Sequence, residues 1–123
     1  MKVTNKHFET FKKECEKWID FYGLKDYEWF FTHKKDEENR ASFSCNWAGR
    51  QYHISLSTEW NMEKITKKGL CLVAFHEVTE AGLIAELRRM ARYAFNQEEI
   101  DRASHETVRR LENSVFEKLW DKI

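Results

Sequence analysis

The hydrophobic period changes twice along the chain. Between residues 4 and 22, Phe8, Phe11, Cys15, Trp18 and Tyr22 recur at spacings of three and four, with Ile19 beside them. That spacing returns each apolar side chain to one face, and it predicts an amphipathic helix that stops near Gly23. The period then drops to two. Ala41, Phe43, Cys45 and Trp47 alternate with Ser42, Ser44 and Asn46; Tyr52, Ile54 and Leu56 alternate with His53, Ser55 and Ser57. These stretches predict two half-buried strands with a hairpin turn near Ala48-Gly49. Tyr27 to His33 (YEWFFTH) predicts a third strand, followed by the charged loop KKDEEN.

After Thr66 the helical period returns and predicts one helix over residues 66 to about 90. Asn96, with Glu99 three residues on, predicts the start of a last helix running to about Lys118. Its buried stripe would be Val108, Leu111, Val115 and Leu119. The order helix, three strands, helix, helix implies an α+β domain with a small antiparallel sheet. A chain of 123 residues is long enough for one core without staples, so residues 1–123 are expected to form a single domain.

Composition narrows the picture. Lysine plus arginine (21) equal aspartate plus glutamate (21). Both halves of the chain are balanced too, which argues against binding to nucleic acid or an anionic membrane by bulk electrostatics. No stretch reaches the ~18 apolar residues of a membrane span, and the N-terminus MKVTNKHFETF has no hydrophobic signal region. Cys15, Cys45 and Cys71 are odd in number and widely spaced, so reduced thiols in a cytoplasmic protein are expected. Aromatic residues make up 15%, enough for a substantial core.

One segment breaks the division between apolar core and charged surface. Ala74 to Ile84 reads AFHEVTEAGLI, placing His76, Glu77 and Glu80 in the most apolar part of the chain. On an ideal helix His76 and Glu80 lie ~40° apart, with Glu77 ~60° from Glu80. The His76/Glu80 stripe extends into Leu72, Leu83 and Leu87, while Thr79 and Glu86 fall on a narrow face expected to meet solvent. Buried carboxylates require compensation: a proton, an arginine or a divalent cation.

A cation accounts for all three polar residues. Ligands at i and i+4 can grip one ion, and zinc accepts both imidazole nitrogen and carboxylate oxygen. A carboxylate directly after the first ligand, here Glu77, is placed to take a proton from a zinc-activated water. That is the logic of H-E-x-x-H on a helix, although here the sequence is H-E-x-x-E. His105, three residues before Val108 on the expected buried stripe, offers a third ligand, with Glu112 two turns further as an outer partner or an arginine-paired carboxylate. The expected zinc ligands are therefore His76, Glu80 and His105. The competing reading has the same helix face open to solvent or paired with Arg88, Arg89, Arg92, Arg109 or Arg110. Arg88, Arg89 and Arg92 also form a basic cluster at a helix C-terminus, where cations are favoured in any case.

The stretches FHEVTEAGL and RASHETVRRLENSVF resemble small zincin-like metallopeptidases of phages and prophages. The likeness spans nearly the whole chain. It implies a minimal zincin-like fold, His76 as first metal ligand, Glu77 as general base, His105 as third ligand, and a peptide or protein as substrate. Glu80 stands where the zincin pattern has histidine. It further implies that an edge strand of the hairpin around residues 40 to 57 borders the cleft and aligns substrate as an added strand. The alternative from a different class is a catalytically inactive zincin-like scaffold that binds a protein partner in phage–host interaction.

Overall fold

The computed structural model describes residues 1–62 and 64–123. Helix α1 spans Asn5–Tyr22. Thr4 caps its start by accepting from the His7 N–H, and His7 Nδ1 in turn accepts from the Thr4 N–H. Gly23 ends it in the left-handed region (φ 71°), which an L side chain adopts only at a cost. Phe11, Cys15, Trp18 and Ile19 are buried, as the spacing of α1 predicts.

Three strands follow: β1 (Glu28–His33), β2 (Ala41–Asn46) and β3 (Gln51–Leu56). The sheet order is β1-β3-β2, with β3 antiparallel to β2 and parallel to β1. The α+β layout is as expected, but the sheet is mixed rather than wholly antiparallel. The cause is topological. The tight β2–β3 hairpin places β3 in the centre, and β1 joins its far side, so two strands running in one direction become neighbours. Residues 34–50, β2 included, act as the long connection that a parallel pair requires.

That topology makes β2 an outer strand, and the start of β2 is tied down. The Arg40 carbonyl accepts hydrogen bonds from the Ser57 N–H (2.9 Å) and the buried Trp60 indole (3.1 Å). Asp36 closes the preceding loop by accepting from the N–H groups of Glu38 and Asn39.

From Lys67 to Leu119 the chain forms two long helices, each interrupted once by a wide turn. The first begins with α2 (Lys67–Thr79), capped by Thr66, passes through a π-helical segment (Glu80–Ile84) and ends as α3 (Ala85–Ala91). The second begins with α4 (Gln97–Leu111), where Asn96 accepts from the Glu99 N–H, passes through a second π segment (Glu112–Phe116) and ends in the short α5 (Glu117–Leu119). The core lies between α1, α2 and the inner face of the sheet, with Trp18, Phe75, Phe116, Ile54 and Leu56 fully buried. Trp18 meets Phe75 edge to face, at 4.7 Å between ring centroids. Val108 is buried, and Leu111, Val115 and Leu119 pack against the core, in line with the predicted stripe. No helix among the described residues is long and apolar enough to cross a membrane.

Two expectations about the central helix fail. Thr79 is fully buried, its hydroxyl 2.9 Å from that of Tyr22, instead of facing solvent. Leu83 and Leu87, expected to continue the His76/Glu80 stripe, are exposed, Leu87 at 64%. The π segment explains the second failure: its i to i+5 bonding adds residues to a turn and rotates everything beyond Glu80 relative to an ideal helix.

Candidate metal centre

His76 sits on α2, where Leu70, Cys71, Ala74, Phe75 and Val78 bury the rest of the helix. Its imidazole is half-buried between two carboxylates. Nδ1 lies 3.0 Å from Glu112 Oε2, and Nε2 lies 3.0 Å from Glu80 Oε2. The hydrogen bonds it donates to Glu112 and then to Glu80 outweigh the cost of burial and push the His76 pKa up to about 10. At neutral pH both ring nitrogens therefore donate.

Glu77 and Glu80 are equally buried, at 7% exposure each, yet their environments oppose one another. Burial alone would raise the Glu80 carboxyl. The hydrogen bond and charge of His76, with the charges of Arg88 and His105, reverse this and hold it below the usual carboxylate range. Arg88 donates to Glu80 Oε1 at 2.8 Å and to Asp101 Oδ1 at 2.7 Å, and Gln97 also donates to Asp101. Among the described residues, Glu77 has no side-chain hydrogen bond to offset its burial. Desolvation, opposed by the charge of His76 and reinforced by that of Glu80, pushes it up to about 7. A carboxyl near 7 is divided between acid and base forms at neutral pH, as a proton-transfer group requires.

Both carboxylates that flank His76 begin a π segment. The Ala85 N–H bonds to the Glu80 carbonyl, and the Glu117 N–H to that of Glu112, each five residues apart. Such wide turns cost helix regularity and recur at functional positions. Here the two face each other across one histidine.

His76, Glu77 and Glu112 open onto a cleft of about 330 Å³. Leu72 and Val73 extend its α2 wall, and residues 38 to 41, leading into β2, form the opposite wall. The strand at this wall is thus β2, an outer strand of the sheet.

His105 departs from expectation. The buried residues of α4 are Ile100, Ser104 and Val108, spaced by four, and His105 is exposed beside them. It stands one helical turn after Asp101 on α4. Among the described residues, no three His, Cys, Asp or Glu side chains are arranged to hold an ion as they stand. The geometry at His76 accounts for this, because Glu80 and Glu112 occupy opposite ring nitrogens.

Glu80 is thus paired with Arg88, as the competing reading expects, while His76 and Glu80 still present donor types that a divalent cation accepts. Ligands bonded to one zinc at ~2.0–2.1 Å lie ~3.3 Å apart, and Nε2 and Oε2 at 3.0 Å are close to that spacing. Glu112 on Nδ1 occupies the place of the outer carboxylate that fixes the tautomer and orientation of a ligating histidine. Asp101 and the link it makes through Arg88 were not anticipated from the sequence. The signal was present: Asp101, His105 and Glu112, at spacings of four and seven, share one helical face. Compared with protein-family models, with curated proteins and with solved structures, the chain matches none.

Proposed function

We propose that the protein is a zinc-dependent peptidase of the zincin type. The observation that carries this reading is the pairing of His76 with Glu80 at 3.0 Å, with His76 and buried Glu77 lining a cleft walled by the approach to an outer strand. His76 Nε2 and Glu80 Oε2 would hold the ion, with His105 the third ligand once its exposed side chain turns inward. A bound zinc ion supplies Lewis-acid polarisation of a peptide carbonyl and of a water molecule. Glu77, its carboxyl pushed up to about 7, would serve as the group that accepts a proton from an attacking water and returns one to a departing amine. Glu112 would hold the proton on Nδ1, and ligation through Nε2 would release the proton that Glu80 accepts in the metal-free protein. An extended peptide adding to β2 would lie along the cleft, the mode by which exposed strand edges bind peptides. Free Cys15, Cys45 and Cys71 support a reducing, cytoplasmic setting.

The test is a peptide library digested with zinc-loaded protein, with Glu77→Gln and a chelator as controls. Cleavage lost in both controls supports the reading. Cleavage that persists at the normal rate in Glu77→Gln removes Glu77 from the mechanism, and no cleavage of any peptide removes the peptidase.

A second reading has its own observation. Leu87, Met90, Tyr93 and Phe95 are all more than half exposed on α3 and the turn after it. Large exposed apolar patches mark protein contacts, which favours an inactive zincin-like scaffold that binds a protein partner. Zinc bound without hydrolysis, together with capture of a partner that Leu87→Asp abolishes, would select this reading.

A further inference from the structure

Among the described residues, Arg88 is the one arginine or lysine hydrogen-bonded to a carboxylate of the site, and its arrangement is specific. Its two terminal nitrogens are divided between Glu80 Oε1 (2.8 Å) and Asp101 Oδ1 (2.7 Å). Asp101 is in turn held by Gln97 Nε2 at 2.8 Å, one turn earlier on α4. Helical side chains lean toward the N-terminus, so Arg88 on α3 reaches back across the π segment to Glu80. The result is a chain of charged hydrogen bonds, Asp101 to Arg88 to Glu80 to His76, that links α4, α3 and α2.

We propose that Arg88, anchored by Asp101, is a positioning residue that fixes Glu80 Oε1 and so presents Oε2 alone to the cation site. The inference rests on the reading of Glu80 as a ligand. The planar fork of arginine is essential to it. Rotating the Glu80 carboxylate about its last bond breaks the hydrogen bond to Arg88, and Arg88 cannot follow without leaving Asp101. A lysine keeps the charge but is a single point donor that cannot hold both carboxylates in one fixed plane. Geometry can thus be separated from charge by one substitution. Asp101 sits on the more exposed side of the pair, where replacement disturbs the core least.

The experiment is zinc binding by calorimetry on wild-type, Arg88→Lys, Asp101→Asn and His76→Ala proteins, with melting of the metal-free forms as a control of folding. Outer partners of metal ligands typically change affinity by about 10- to 100-fold. Arg88→Lys is expected to bind one equivalent of zinc within that range of weakening while melting with wild type. Asp101→Asn should weaken binding less, and His76→Ala should not bind. With cobalt as a spectroscopic probe, the visible band of Arg88→Lys should differ from wild type, because a freed Glu80 can offer both oxygens. Wild-type affinity and an unchanged cobalt band in Arg88→Lys would overturn the positioning role while leaving the ligand assignment intact. A wild-type protein that takes up no zinc would overturn the ligand assignment, and the role with it. Should Arg88→Lys not fold, Asp101→Asn decides, and unchanged affinity there counts against the proposal.

Discussion

The two halves of the central helix, α2 before Glu80 and α3 after it, share one backbone direction and little else. In α2 apolar side chains surround the helix: Phe75 and Val78 are fully buried, and even Thr79 is enclosed. In α3 only Ala85 is buried, while Leu87 and Met90 face outward. The π segment between them is where packing gives way to chemistry. Upstream, burial raises Glu77; at the junction, paired charges lower Glu80; downstream, Arg88 serves the site and not the core. Rigid packing on one side and a displaced turn on the other give the polar cluster its fixed position.

The largest effect that sharpens this contrast is on stability. Phe75→Ala should cost about 3–5 kcal/mol, since it opens a cavity beneath Trp18. Urea unfolding followed by tryptophan fluorescence measures it, and a loss below 1 kcal/mol would mean that α2 is not the anchoring half. At the junction, Glu80→Gln removes charged hydrogen bonds to His76 and Arg88, each partly exposed. The expected loss is about 1.5–3 kcal/mol, together with loss of zinc binding.

A subtler test uses pH on the metal-free protein. His76 is raised from 6.5 to about 10 in the folded state, so the folded form holds its proton where the unfolded chain has released it. Its contribution is full below about pH 6.5 and is lost as pH rises through about 10. Glu77, raised from 4.5 to about 7, acts in the same direction over its own lower range. Glu80, held low, has the opposite sign and weakens the fold only at the acid end. Chemical denaturation across this range should therefore show stability falling toward alkaline pH, and His76→Gln should flatten the alkaline part. A profile identical to wild type would remove His76 from the charge network. The smallest effect belongs to α3: Leu87→Ala, at an exposed position, should stay within ~0.5 kcal/mol of wild type. A loss comparable to that of Phe75→Ala would erase the distinction between the halves.

Much of this was legible from periodicity. The stripe of α1, the hairpin, the Asn96 cap and the pairing of His76 with Glu80 all follow from local spacing, because regular helices and strands repeat at fixed intervals. Three features did not. The parallel pairing of β1 with β3 depends on which neighbour a strand chooses, and alternation within a strand says nothing of that. The exposure of Leu83 and Leu87 follows from a π turn that 100° arithmetic passes over. The exposure of His105 and the bridging role of Arg88 depend on how α4 docks, since a one-residue rotation exchanges Ser104 for His105 in the core. The site was thus readable within one helix and lost where a second helix had to be placed against it.

In the proposed function, His76 and Glu80 would hold a divalent cation. Elemental analysis of purified, untagged protein by mass spectrometry, after zinc addition and dialysis, tests it most directly. The account predicts about one equivalent of zinc in the wild type and none in His76→Ala. Equal zinc in the two proteins, or none in either, would contradict it.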